Sequence, residues 1–128
     1  MKENNVIQQK CFSFSVLVVG ICKYLREKQK DNIISKQLLR SGTSIGANVE
    51  EGIGCQTKKD FYFRFTIAYK EARESYYWLK VLKESKMKES KMIDKSIIDQ
   101  PISDCEEILI IIGSILKTLR NKQSSNDS

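Results

Sequence analysis

Phe61, Phe65, Ala68, Ala72, Ser75, Leu79 and Leu82 follow one another at alternating intervals of four and three residues. An α-helix gathers positions spaced this way onto one side, and a period sustained over three repeats is that of a helix lying along other helices. The constraint is severe, because a strand would scatter these residues over two faces. A helix from about residue 58 to 86 is therefore expected, with an apolar seam that other elements of the chain must cover.

Three further segments carry helical periodicity. A first helix is expected near 5–28, with Phe14, Val18, Ile21 and Leu25 in one stripe and Phe12, Val16 and Val19 in a second. Two apolar faces exceed what a small bundle can bury, so the second is expected at a subunit interface. A second helix, near 32–53 and capped by Asp31 or Asn32, places Ile34, Leu38, Ser41, Ile45, Asn48 and Gly52 at helical spacing. Its segment RSGTSIGAN holds Gly42 and Gly46, each costing about 1 kcal/mol relative to Ala in a helix interior. On one face with Leu39, Val49 and Ile53, these glycines read as a close approach by another helix. Gly52 and Gly54 read as its end, and Thr57 with Asp60 as the cap of the next helix. The duplicated KESKM of 83–87 and 88–92 reads as a frayed helix end and surface linker. A fourth helix near 101–121 is expected to begin at Pro101, a residue suited to a first turn. Its seam is Ile102, Cys105, Leu109, Ile112, Leu116 and Leu119. Short connections between four amphipathic helices imply an all-α, up-and-down antiparallel four-helix bundle over residues 1–122, followed by a disordered tail at 123–128.

A chain of 128 residues suffices for one core burying about two thirds of its unfolded surface. It contains no histidine, so neither Ser-His-Asp nor Cys-His catalysis nor a di-iron Glu-x-x-His site can be built. Cys11, Cys22, Cys55 and Cys105 stand apart without a C-x-x-C pair, as in a reducing cytoplasm. The apolar run CFSFSVLVVGIC is shorter than the ~20 residues a membrane span needs and lacks a signal-cleavage pattern, so a buried helix is expected and no membrane partner.

The net charge of +6 is unevenly distributed: eleven bases against six acids lie in residues 53–95, and three against five in residues 96–128. Two positions beyond each seam residue of the third helix lie Lys59, Phe63, Thr66, Lys70, Arg73, Tyr77 and Lys80, turned about 200° away and outward. Cations can meet phosphates and aromatic rings can stack on bases, or the rings can serve an oligomer contact and the cations a solvated face. Tyr62, Tyr69 and Tyr76 form a neighbouring stripe suited to a protein partner. Glu71 and Glu74, with Glu50 and Glu51, could hold Mg²⁺ as in all-α nucleotide pyrophosphohydrolases. The simpler reading pairs these acids with Arg64 or Arg40. The chain is expected to be non-enzymatic and to carry no cofactor. Lys58, Lys59, Arg64, Lys70, Arg73 and Lys80 are the candidate contacts for RNA or DNA.

QLLRSGTSIGANVEEG at 37–52 and KKDFYFRFTIAYKEARESYYWLKVL at 58–82 resemble the four-helix-bundle proteins of ribosomal-RNA intervening sequences, related to the accessory variability protein of diversity-generating retroelements. The resemblance implies a ring-like homopentamer with a basic surface for nucleic acid and, in the retroelement branch, a reverse transcriptase as partner. Its pattern falls on Arg40, Ser44, Asn48, Glu51 and Gly52, and on Phe61, Ala68, Glu71, Glu74 and Trp78. The polar members, Arg40, Ser44, Asn48, Glu51, Glu71 and Glu74, are expected to form a structural network.

Overall fold

The computed structural model describes residues 2–89 and 95–127, which form four α-helices: α1 (Lys2–Lys28), α2 (Ile34–Gly54), α3 (Lys58–Glu89) and α4 (Lys95–Asp127). They pack in the cyclic order α1, α2, α3, α4 and back to α1. Neighbours run antiparallel. Gly42 lies against Val18 and Gly46 against Cys11, Ser41 meets Ser75, Asn48 meets Arg64, and Cys105 meets Ala72 while Asp99 meets Lys83. This is the up-and-down bundle expected from the sequence.

The seam of α3 is the spine of the core. From Phe65 to Leu82 its members are buried, and Phe61 is half-buried and stacked on Phe65 with ring centroids 4.1 Å apart. On α1, Ile7, Cys11, Phe14, Val18, Ile21 and Leu25 repeat the four-three spacing and are buried with it. Phe12, Val16 and Val19, the second stripe, stay exposed on the single chain at 69%, 59% and 48%. The 23 residues Val6–Lys28 are long and apolar enough by length and composition to cross a membrane, although the CFSFSVLVVGIC run within them is not. In this fold one face of that helix is spent on the core.

Small residues set the spacing around α2. A Cβ on Gly42 would stand 2.8 Å from Val18 Cγ1, and one on Gly46 would stand 3.4 Å from the Cys11 carbonyl oxygen. Gly52 does not end the helix: α2 runs through it to Gly54, and a Cβ there would fall 2.8 Å from the Phe65 ring. A glycine placed by its spacing in the last turn of the expected helix is thus the seat of a buried seam phenylalanine of α3.

The helix ends follow local hydrogen bonding. Lys30, at φ 57°, turns the chain so that the Asp31 amide donates to the Leu25 carbonyl at 3.0 Å. Asp31 Oδ1 then accepts from the amides of Ile33 and Ile34 at the start of α2. Thr57 Oγ1 accepts from the Asp60 amide at 3.1 Å, capping α3 as its sequence indicates. Helix α3 continues to Glu89, so the first KESKM copy is helical rather than a linker; residues 90–92 of the second, with 93 and 94, lie outside the described residues. Helix α4 begins at Lys95, ahead of Pro101, which is buried inside it, and extends to Asp127, past the end expected near residue 121.

Candidate nucleic-acid interface on α3

From Phe61 to Leu82 the only acids are Glu71 and Glu74, and both turn toward α2. Arg40 of α2 reaches across to them: Nη1 donates to Glu71 Oε2 at 3.2 Å and Nη2 donates to Glu74 Oε2 and, at 3.4 Å, to Gln37 Oε1. Trp78 Nε1 donates to the same Glu74 oxygen at 3.0 Å. One guanidinium thereby binds both carboxylates on the side of α3 that packs against α2.

The adjoining outward face carries cations and rings. Lys59, Phe63, Lys70, Arg73, Tyr77 and Lys80 are exposed, and Thr66 is half-buried. Among the described residues, none of these four cations takes part in an ion pair. Lys80 Nζ lies 5.2 Å from the centroid of the half-buried Tyr76 ring, within cation–π range. Lys58 is exposed at the start of the helix. Arg64 is not part of this face: it is half-buried, and Nη1 donates to Asn48 Oδ1 at 3.4 Å on the α2 side.

The polar residues expected to form one network fall into two groups, because helical spacing lets α2 meet α3 at more than one level. Arg40, Glu71 and Glu74 make the first. In the second, Asn48 Nδ2 donates to the Ser44 carbonyl at 2.9 Å while its Oδ1 receives Arg64. Glu51 is exposed and joins neither. Beside the first group, the Ser75 hydroxyl donates to Ser41 Oγ at 2.9 Å in the core, a contact that periodicity treats only as two small seam residues. Tyr62, Tyr69 and Tyr76 are half-buried against the core, and Gly113 of α4 makes room for Tyr69.

The carboxylates offered for Mg²⁺ are separated: Glu50 accepts from Gln8 of α1 at 2.8 Å, while Glu71 and Glu74 hold Arg40. Among the described residues, no three Asp, Glu, Cys or His side chains converge as metal ligands. Cys11, Cys22 and Cys105 are buried free thiols. Burial pushes Cys11 and Cys105 up to about 12, assisted by the charge of Glu50 and the neighbouring Cys11 respectively, and Cys22 up to about 11. At neutral pH they remain protonated core side chains.

Residues 3–114 match the family model described as 23S rRNA-intervening sequence protein. The chain is also similar to a crystal structure, at 1.70 Å resolution, of a protein with unknown function from the S23 ribosomal protein family of Bacteroides thetaiotaomicron VPI-5482. The two are 38% identical, the match covers 90% of this chain and 98% of that one, and the TM-score is 0.81. No curated protein matches the chain.

Proposed function

The chain belongs to the family of 23S rRNA-intervening sequence proteins, and from that premise we propose that it is a non-enzymatic oligomer that binds RNA or DNA through the outer face of α3. The observation that carries this reading is the segregation of charge on one helix. Arg40 holds both acids of the stretch from Phe61 to Leu82 on the α2 side, so Lys70, Arg73 and Lys80 within it face outward with no carboxylate paired to them among the described residues, and Lys59 stands just before them. Such a row contacts phosphates irrespective of base sequence.

Assembly is assigned to the exposed stripe of α1, where Phe12, Val16 and Val19 repeat the four-three spacing of a helix-packing seam. Joining protomers through that stripe leaves α3 free and places several basic faces on one particle. A ring-like homopentamer, as the family resemblance implies, is the assembly proposed.

The test is binding of purified protein to structured RNA and to single-stranded DNA at increasing salt, with light scattering for mass. Affinity is expected to fall for every sequence, with a slope of log K against log salt of about −3 for four neutralised phosphates on a single strand. The double variant Lys70→Glu/Arg73→Glu is expected to weaken binding by tenfold or more on all sequences alike. Salt-independent binding, or unchanged affinity in that variant, removes α3 from the interface.

A further inference from the structure

Phe63 and Tyr77 are large rings held out to solvent, 58% and 60% exposed, from a helix whose apolar side is already buried. They are fourteen residues apart, which brings them to within about 40° of one another around the helix and about 21 Å apart along it. Cations lie between and beside them. A ring exposed by accident would be free to swing, but each of these is backed by its sequence neighbour, and each neighbour is tied to α2.

Behind Phe63 stands Arg64, whose guanidinium carbon is 5.9 Å from the ring centroid and whose Nη1 donates to Asn48 Oδ1 at 3.4 Å. Behind Tyr77 stands Trp78, packed edge-on with ring centroids 5.2 Å apart and planes at 72°; its indole N–H donates to Glu74, which Arg40 holds in turn. A similar arrangement occurs twice: an exposed ring, a half-buried brace, and a polar tie to α2, direct through Asn48 for Arg64 and by way of Glu74 to Arg40 for Trp78. A supported flat ring beside cations matches the chemistry of an unpaired base attached to a phosphate, because every base offers a π-face for stacking. Duplex bases are stacked on one another and offer no such face to a helix surface.

We propose that this face recognises unpaired nucleic acid, with Phe63 and Tyr77 as two stacking platforms braced by Arg64 and Trp78, and with Lys70 and Arg73 holding the phosphates between them. The inference rests on the nucleic-acid reading above and narrows it to single strands. The 21 Å between platforms corresponds to about six nucleotides at the 3.4 Å rise of a stacked strand, and to fewer in a stretched one. Single-stranded stretches of RNA or DNA are the ligand, read by stacking and charge with little sequence preference.

The experiment compares fluorescence anisotropy of a labelled mixed-sequence strand of about 12 nucleotides with that of the same strand annealed to its complement. The proteins are wild type, Phe63→Leu, Tyr77→Leu, Lys70→Glu and Trp78→Phe, each checked for helicity by circular dichroism and for mass by light scattering. Wild type is expected to prefer the single strand. Each leucine variant should lose about tenfold on the single strand, with little change on the duplex and an unaltered salt slope. Lys70→Glu should lose affinity for both forms. Trp78→Phe, which keeps a ring but removes the indole N–H, should show a smaller loss confined to the single strand. Equal wild-type affinity for the two forms, or full single-strand affinity in both leucine variants while Lys70→Glu still fails, overturns the stacking proposal and leaves the electrostatic reading standing. A changed mass in the leucine variants with binding intact assigns the rings to subunit contact and also overturns it. No binding by wild type to either form removes the nucleic-acid reading, and this inference with it.

Discussion

The two sides of the bundle are finished to different degrees. Where α2 meets α3, glycine, serine and charge are all matched: Gly52 seats Phe65, Ser41 meets Ser75, and Arg40 answers Glu71 and Glu74. Where α1 meets α4, the ion pair of Lys10 with Glu107, at 2.6 Å, lines an open groove of about 410 Å³ beside Gln9 and Ser13. The flank of α1 shows Phe12 and Val16 to solvent, and Ile110 of α4 is also exposed. One side is complete within the protomer, whereas the other carries apolar surface of the kind that protein association covers. The lesson is that the junction of α2 and α3 is matched in full, whereas α1 gives one stripe to the core and leaves a second apolar stripe uncovered.

Truncating one ring on each side tests that division most strongly. Phe65→Ala removes a fully buried side chain and should cost about 3–5 kcal/mol in urea unfolding, whereas Phe12→Ala should change protomer stability by less than about 0.5 kcal/mol. Comparable losses at low protein concentration would erase the distinction. Overpacking comes next. Gly52→Ala drives a methyl against the Phe65 ring and should destabilise by about 1–3 kcal/mol despite the better helix propensity of Ala. A neutral result would show that the junction of α2 and α3 is looser than its geometry.

Alkaline pH probes the buried thiols, all three of which are carried by α1 and α4. Their folded values of about 12 and 11 exceed the ordinary thiol value, so the unfolded chain ionises first. The resulting stability is complete below about pH 8.5 and is lost as pH rises toward 11–12. By pH 10, Cys11→Ala should reduce the alkaline loss by about 2 kcal/mol relative to wild type. The smallest expected effect on the protomer belongs to Phe12→Ser/Val16→Ser. It should leave dilute-solution unfolding within about 0.5 kcal/mol while lowering the particle mass in light scattering. A wild-type-like mass would free α1 of its assembly role.

Periodicity made the bundle legible because each helix buries one stripe, and a stripe is visible in a linear sequence. The seam of α3, the buried stripe of α1 and the cap at Thr57 are local patterns that need no knowledge of the partner helix. What sequence spacing missed depends on the partner. Gly52 looks like part of a helix end until Phe65 is seen to occupy its missing side chain, and Pro101 looks like a first turn although the helix has already begun at Lys95. The candidate site was legible in the same measure. Lys59, Lys70, Arg73 and Lys80 were placed by helical angle alone, whereas Arg64, equally basic, is claimed by Asn48 from another helix. The bracing of Phe63 and Tyr77 is invisible to composition because it passes through α2.

Lys83 and Asp99, bonded at 2.9 Å, join α3 to α4 just inside the segment that carries the repeated KESKM. The bond raises the lysine's pKa. It acts as a clasp separating the connection from the seam below. Cys105 and Ala72 meet farther from the connection, so α4 is registered on α3 at two levels, and a change in the length of the connection meets the clasp before it reaches the core.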